Sequence, residues 1–147
     1  MKKVLIISAT SYTNLDLSKN IKSILDELNI NSQIINLENY DFPLFAASTF
    51  KQEKGSKEIK EITDQFVESS GLIFCVPEYN GSIPPIVTNL IAWISVSTEY
   101  WKDGFKDKTC FIASSSEGDA AKFHIAMKNQ LEHLGSVVIP ESISVYS

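Results

Sequence analysis

The sequence predicts a three-layer α/β fold in which a five-stranded parallel sheet, ordered 2-1-3-4-5, lies between helices. Three features carry that expectation. Gly71 to Val76 (G-L-I-F-C-V) is a short, unbroken apolar run, as a central parallel strand covered on both faces requires. Along the chain such runs alternate with stretches of helical apolar spacing, and strands joined through helices run parallel. After the central run, Pro84 and Pro85 can open a helix, because a missing N–H costs nothing in the first turn.

Taken in order, Lys3 to Ser8 (K-V-L-I-I-S) is the first strand, apolar and β-branched. It ends in the hydroxyl-rich turn Ser8, Ala9, Thr10, Ser11, Tyr12, Thr13 and Asn14. From Leu15 the period changes, and Leu17, Ile21, Ile24, Leu25 and Leu28 share one face of an amphipathic helix. Thr13 with Asp16 has the form of a weak capping box, and the same loop can equally present amides and hydroxyls to an anion. Ser32 to Leu37 reads as the second strand. Glu38 to Lys54 reads as an irregular connection whose Tyr40, Phe42, Phe45 and Phe50 are expected to cover a sheet edge or a partner subunit.

Ser56 to Ser69 carries Ile59, Ile62, Phe66 and Val67 at helical spacing and delivers the chain to the central strand. The helix after Pro85 is apolar around more than half its circumference, with Ile86, Val87, Leu90, Ile91, Trp93 and Ile94. Burial on more than one side follows, which points to a subunit interface. Thr98 to Lys108 is a polar loop with aromatics, and Thr109 to Ala113 is the fourth strand, ending in a polar turn from Ser114 to Asp119. A last helix sets Phe123, Met127, Leu131 and Leu134 on one face and stops at Gly135. Val137 to Pro140 is the fifth strand, and Ile143 and Val145 allow it to run on.

With 147 residues the chain fits one domain, residues 1–147, large enough to bury roughly two-thirds of its unfolded surface. A net charge of −5 argues against a nucleic-acid or anionic-membrane partner. The opening M-K-K-V-L-I-I-S is too short for a signal-peptide core, and no apolar run is long enough to span a bilayer, so a cytoplasmic location is expected. All 13 basic residues are Lys, and without Arg a phosphate site must rely on amides, hydroxyls and Lys. Cys75 and Cys110 sit in strand-like runs and read as buried free thiols, while His124 and His133 read as solvated helix residues. With no H-E-x-x-H, C-x-x-C, nucleophile elbow or Walker loop, metal and acyl-enzyme chemistry have no support in the sequence.

Open α/β sheets bind ligands beyond the carboxyl ends of their strands, which makes the three polar turns the candidate site. The longest motif there is P-E-Y-N-G-S-x-P, Pro77 to Pro84, followed by T-N-L-x-x-W from Thr88 to Trp93. It resembles the signature loop of the flavodoxin-like NAD(P)H-dependent FMN reductases, a family that includes quinone and azo-dye reductases. The resemblance implies a flavodoxin-like fold over the whole chain, with FMN in the crevice between strands one and three. It implies a phosphate loop, S-x-T-x-x-T, formed by Ser8, Thr10, Ser11, Tyr12, Thr13 and Asn14. It lays Pro77, Glu78, Tyr79, Asn80 and Gly81 along the ring edge, amides toward N5 and O4, with Glu78 structural. Ser114, Ser115 and Gly118 are the implied contacts on the ring's other side, with one Gly where relatives commonly have a pair.

No side chain is implied to be catalytic, since the cofactor performs the redox step. NAD(P)H would give hydride, a quinone, azo compound or free flavin would take it, and the protein would be a homodimer or homotetramer. Two other outcomes fit the same residues: a flavodoxin-type FMN carrier that does not use pyridine nucleotide, and a non-enzymatic member that has lost FMN. Relatives usually continue into a further C-terminal helix, whereas this chain stops at Ser147, so that helix is either dispensable or removed by truncation.

Overall fold

A computed structural model describes residues 2–53 and 56–147. Its elements are β1 (Val4–Ser8), α1 (Thr13–Glu27), β2 (Ser32–Asn36), a 3-10 turn (Leu37–Asn39), α2 (Ala47–Glu53), α3 (Lys57–Glu68), β3 (Gly71–Cys75), α4 (Pro85–Ser97), β4 (Thr109–Ser116), α5 (Ala121–His133) and β5 (Val137–Tyr146). The five strands form one sheet in the order β2-β1-β3-β4-β5, every neighbouring pair parallel, as the alternation of elements predicts.

Alternate residues of each central strand go to opposite faces, because the side-chain period of a strand is two. Leu5, Ile7, Leu72, Phe74, Cys110 and Ile112 pack with Ile62 and Phe66 of α3, Leu90 and Ile94 of α4, and Phe123, Met127 and Leu131 of α5. Ile6, Cys75 and Ala113 face the other way and meet Ile21 of α1, with Leu17, Leu25, Ile73 and Phe111 half-buried around them. Helices therefore lie on both faces, unequally. Burial also holds the two thiols neutral: it pushes Cys75 and Cys110 up to about 11, against smaller lowering from the hydroxyls of Ser18 and Ser136 respectively.

Several boundaries differ from expectation. The fourth strand does not stop at Ala113. β5 runs unbroken to Tyr146 and pairs Ser114, Ser115 and Ser116 with Ser144, Val145 and Tyr146, so the first half of the expected third turn is strand. Pro140 is accommodated because the register slips there, Cys110 facing Val138 but Ile112 facing Ser142, and Pro is tolerated at irregularities of an edge strand.

The connection after β2 is not structureless: it contains the 3-10 turn and α2, and its expected end at Lys54 lies outside the described residues. Its aromatics cover a helix of this chain, where a sheet edge or a partner was expected. Phe45 meets the Trp93 ring edge-on at 5.1 Å, Trp93 Nε1–H donates to the Pro43 carbonyl (2.8 Å), and Asn89 bonds both Pro43 O and Phe45 N–H. That cover buries part of the all-round apolar surface of α4 within this chain.

Candidate functional site

Since β1, β3 and β4 are in register, Ser8, Cys75 and Ala113 lie level, and the segments leaving them emerge side by side. They enclose a cleft of about 640 Å³ lined by Thr10, Tyr12, Thr13 and Asn14, by Pro77, Glu78, Tyr79 and Asn80, and by Ser115, Ser116, Glu117 and Gly118, with Glu38 and Ser147 at its margin. This volume is within the roughly 300–1,000 Å³ of small-molecule sites.

In the first loop Ser8 is buried, and its Oγ donates to Thr10 O at 2.7 Å, so it shapes the loop without reaching the cleft. The capping box does not form. Thr13 is already helical, Tyr12 is the cap residue, and no side chain caps α1. One residue of extra helix carries Thr13 past the position a capping hydroxyl needs, and the first-turn N–H groups are left pointing out of the helix end. Ser11 is not itself a lining residue but borders the cleft through Glu38: its N–H donates to Glu38 Oε2 at 2.7 Å and its Oγ accepts from Asn36 Nδ2 at 3.0 Å. Asn14 lines the cleft, but its amide is committed elsewhere. Nδ2 donates to Ser115 O and Oδ1 accepts from Ser115 N–H, both at 2.9 Å, so this buried side chain clasps the first loop to the third.

The second loop is a tight two-residue turn. Asn80 and Gly81 have φ of 51° and 70°, and Tyr79 and Ser82 exchange backbone hydrogen bonds of 3.1 and 3.0 Å, which is the type I′ geometry that Asn-Gly favours. Gly81 faces Lys122, and a Cβ there would stand 3.2 Å from that side chain. Glu78 makes two hydrogen bonds within the protein: its N–H donates to Ser116 Oγ (2.9 Å) and its Oε2 accepts from Phe123 N–H (2.8 Å). That carboxylate caps α5, whose own cap residue Ala120 is left-handed (φ 54°) and has no side chain to offer. The expected row of amides is thus narrowed, for those of Glu78 and Tyr79 are engaged in hydrogen bonds within the protein, while Asn80 is a lining residue.

Ser114, in the third segment, points away: it is buried and shares a 3.0 Å hydrogen bond with Ser116 Oγ. Of the expected residues, Ser8, Ser11, Gly81 and Ser114 stay outside the cleft lining, and the other ten line it. Sequence reasoning missed Glu38 and Ser147, and within the expected third turn it did not single out Ser116 and Glu117. For Glu38 a signal existed: strand order puts the end of β2 beside β1, and Asn36 indeed pairs with Ser8.

His124 is half-buried, contrary to the expected solvated position, because the longer β5 packs Ser144 against α5. Its Nε2 lies 2.8 Å from Ser144 Oγ, whose proton goes to Asp119 O, so Nε2 carries the hydrogen and Nδ1 is a buried acceptor without a partner. Desolvation pushes this imidazole below its ordinary range, against the opposing charges of Glu78 and Asp119. His133 is exposed beside the Trp101 ring, 5.6 Å between centroids. Among the described residues the titratable side chains lining the cleft, apart from two Tyr, are all acidic: Glu38, Glu78 and Glu117. Among the described residues no helix is long and apolar enough to cross a membrane.

The fold has many counterparts among solved structures. The flavoenzyme NAD(P)H:(acceptor) oxidoreductase FerB from Paracoccus denitrificans superimposes with a TM-score of 0.78 at 23% identity, over 97% of this chain and 78% of that one. An NADH:FMN oxidoreductase gives 0.77 at 15% identity, over 99% and 76%. A flavodoxin from the domain Archaea gives 0.68 at 11% identity, over 99% and 83%. At such identities the likeness is one of fold. In sequence, the NADH:(hydroxy)cinnamate reductase subunit CrdA of Vibrio ruber is 24% identical over 106 residues, 69% of this chain and 50% of that protein. An uncharacterised protein of Mycoplasma pneumoniae is 30% identical over 79 residues, 54% of this chain and 47% of that protein. The chain spans about half the length of the curated relatives it matches. The family model for NADPH-dependent FMN reductase matches residues 2–147, and the chain belongs to that family, whose cofactor is FMN and whose co-substrate is a reduced nicotinamide nucleotide.

Proposed function

We propose that this chain binds FMN in the three-loop cleft and passes hydride from NADPH or NADH to a small acceptor: a quinone, an azo compound or free flavin. The observation that carries the reading is the convergence of the three loops on one cleft, held by the reciprocal Asn14–Ser115 hydrogen bonds at the β1/β3 crevice, where the strand order reverses. The residues present fit FMN. The side-chain-free start of α1 and the hydroxyls of Thr10 and Thr13 suit a phosphate, because first-turn amides carry partial positive charge and hydroxyls donate without adding any. Tyr12, 78% exposed, and Tyr79, 48% exposed, offer aromatic faces from two different loops to a flat ring.

The chemistry that FMN supplies when bound is hydride acceptance from the nicotinamide and return of the electrons to an acceptor. The chain's own part is placement. Asn80 lines the cleft, and a backbone N–H such as its own is a donor that is not lost as a proton at neutral pH, which would suit an edge where negative charge develops. Glu78 is turned to α5 and takes no proton-transfer role in this reading. Assembly as a homodimer or homotetramer in the cytoplasm belongs to the same proposal, supported by the exposed Ile143, Val145 and Tyr146 on edge strand β5, and sedimentation velocity checks it.

The test is an anaerobic titration of the FMN-loaded protein with NADPH and with NADH, following the flavin absorption band. Bleaching by either supports the reductase. A flavin-loaded protein that neither nucleotide bleaches is the electron carrier instead, and a protein that takes up no flavin overturns the reading.

A further inference from the structure

The phosphate end of the cleft carries an anion of its own. Ser11 N–H sits in the strand-to-helix turn that presents donors to anions, and it donates to Glu38 Oε2 at 2.7 Å, a short bond to a charged acceptor. Glu38 is exposed yet placed by the end of β2. Asn36 Oδ1 accepts the Glu38 N–H at 3.1 Å, while Asn36 Nδ2 donates to Ser11 Oγ at 3.0 Å. Two elements thus hold a carboxylate on the loop's amide. Among the described residues the cleft lining contains no Lys to offset it, and the chain contains no Arg at all.

We propose that Glu38 is a specificity-determining residue that selects between phosphorylated and unphosphorylated flavin, competing with the 5′-phosphate for the Ser11 amide. The proposal rests on the reading of the cleft as the flavin site. A phosphate dianion entering the loop meets an engaged donor and a like charge, whereas the uncharged end of riboflavin meets neither. Glu38 therefore lowers affinity for FMN selectively, and the wild-type chain discriminates weakly between the two flavins. The Glu38→Gln variant keeps an acceptor oxygen for Ser11 N–H and removes only the charge, so loop strapping and electrostatics are separated.

Dissociation constants for FMN and riboflavin are measured by quenching of flavin fluorescence, at low salt, for the wild type and E38Q. E38Q is expected to bind FMN about tenfold more tightly, the scale of one like-charge contact removed near a surface, with riboflavin changed less than about twofold. Raising the salt should narrow the difference between the two proteins for FMN and leave riboflavin alone. Equal or weaker FMN binding by E38Q overturns the proposal while leaving the flavin site intact. So does a variant that gains affinity for riboflavin as much as for FMN, since that is a widened cleft rather than a removed charge. Failure of both proteins to bind either flavin removes the reading of the cleft itself, and this proposal with it.

Discussion

Asn14 and His124 show how differently single residues declare themselves. Asn14 stood in the sequence as one polar residue of a hydroxyl-rich turn, and nothing local could reveal that its amide closes on the backbone of Ser115, 101 positions away. Asn14→Ala leaves a buried N–H and a buried carbonyl without partners, at roughly 1–3 kcal/mol each. A fall of about 2–6 kcal/mol in unfolding free energy is expected, read as a lower urea midpoint at unchanged slope. The Asn80-Gly81 pair, by contrast, was legible, because the left-handed backbone it supplies is a local property. His124 was misjudged because its environment depends on how far β5 extends. Its folded pKa lies below the value of about 6.5 in the unfolded chain, so the unfolded state binds the extra proton. Its stabilising contribution is whole above that ordinary value and is lost as pH falls through the depressed one. Acidification from about pH 7 to about pH 5 should therefore destabilise the wild type more than His124→Asn, as denaturant midpoints across that range will show.

Elements were read well where a period fixed them. The apolar faces of α3 and α5 and the bare run of β3 are intrinsic to their sequences, and the structure buries Ile59, Ile62, Phe66, Phe123, Met127 and Leu131. Reach was the weakness. Ser114 to Ser116 resemble a turn by composition, and they are strand only because β5 supplies partners along their length. α4 was read correctly as buried on more than one side, but its cover is the aromatic connection ahead of α2, hung from Pro43 by Trp93 and Asn89. Trp93→Phe keeps most of the ring and removes the Nε1–H, leaving the Pro43 carbonyl with Asn89 alone. A cost of about 1 kcal/mol is expected. Limited proteolysis should then cut faster between Pro43 and Phe50, since loss of that tie raises local opening.

For the whole molecule, the cofactor is a source of stability as well as chemistry. A ligand that binds the folded chain alone stabilises it by about 2.7 kcal/mol at a concentration 100 times its dissociation constant. FMN at that level should raise the melting temperature by roughly 5–10 °C for a domain of this size, and calorimetry with and without FMN checks the shift. The Asn14–Ser115 clasp adds a constraint in time. Its two halves come from opposite ends of the chain, and Ser115 is positioned only once β4 has docked beside β3. On the proposed flavin site, the nascent polypeptide should capture FMN only after β4 has emerged and paired with β3. FMN should accordingly retard unfolding while leaving the refolding rate untouched in stopped-flow experiments, a guest received only after the house is standing.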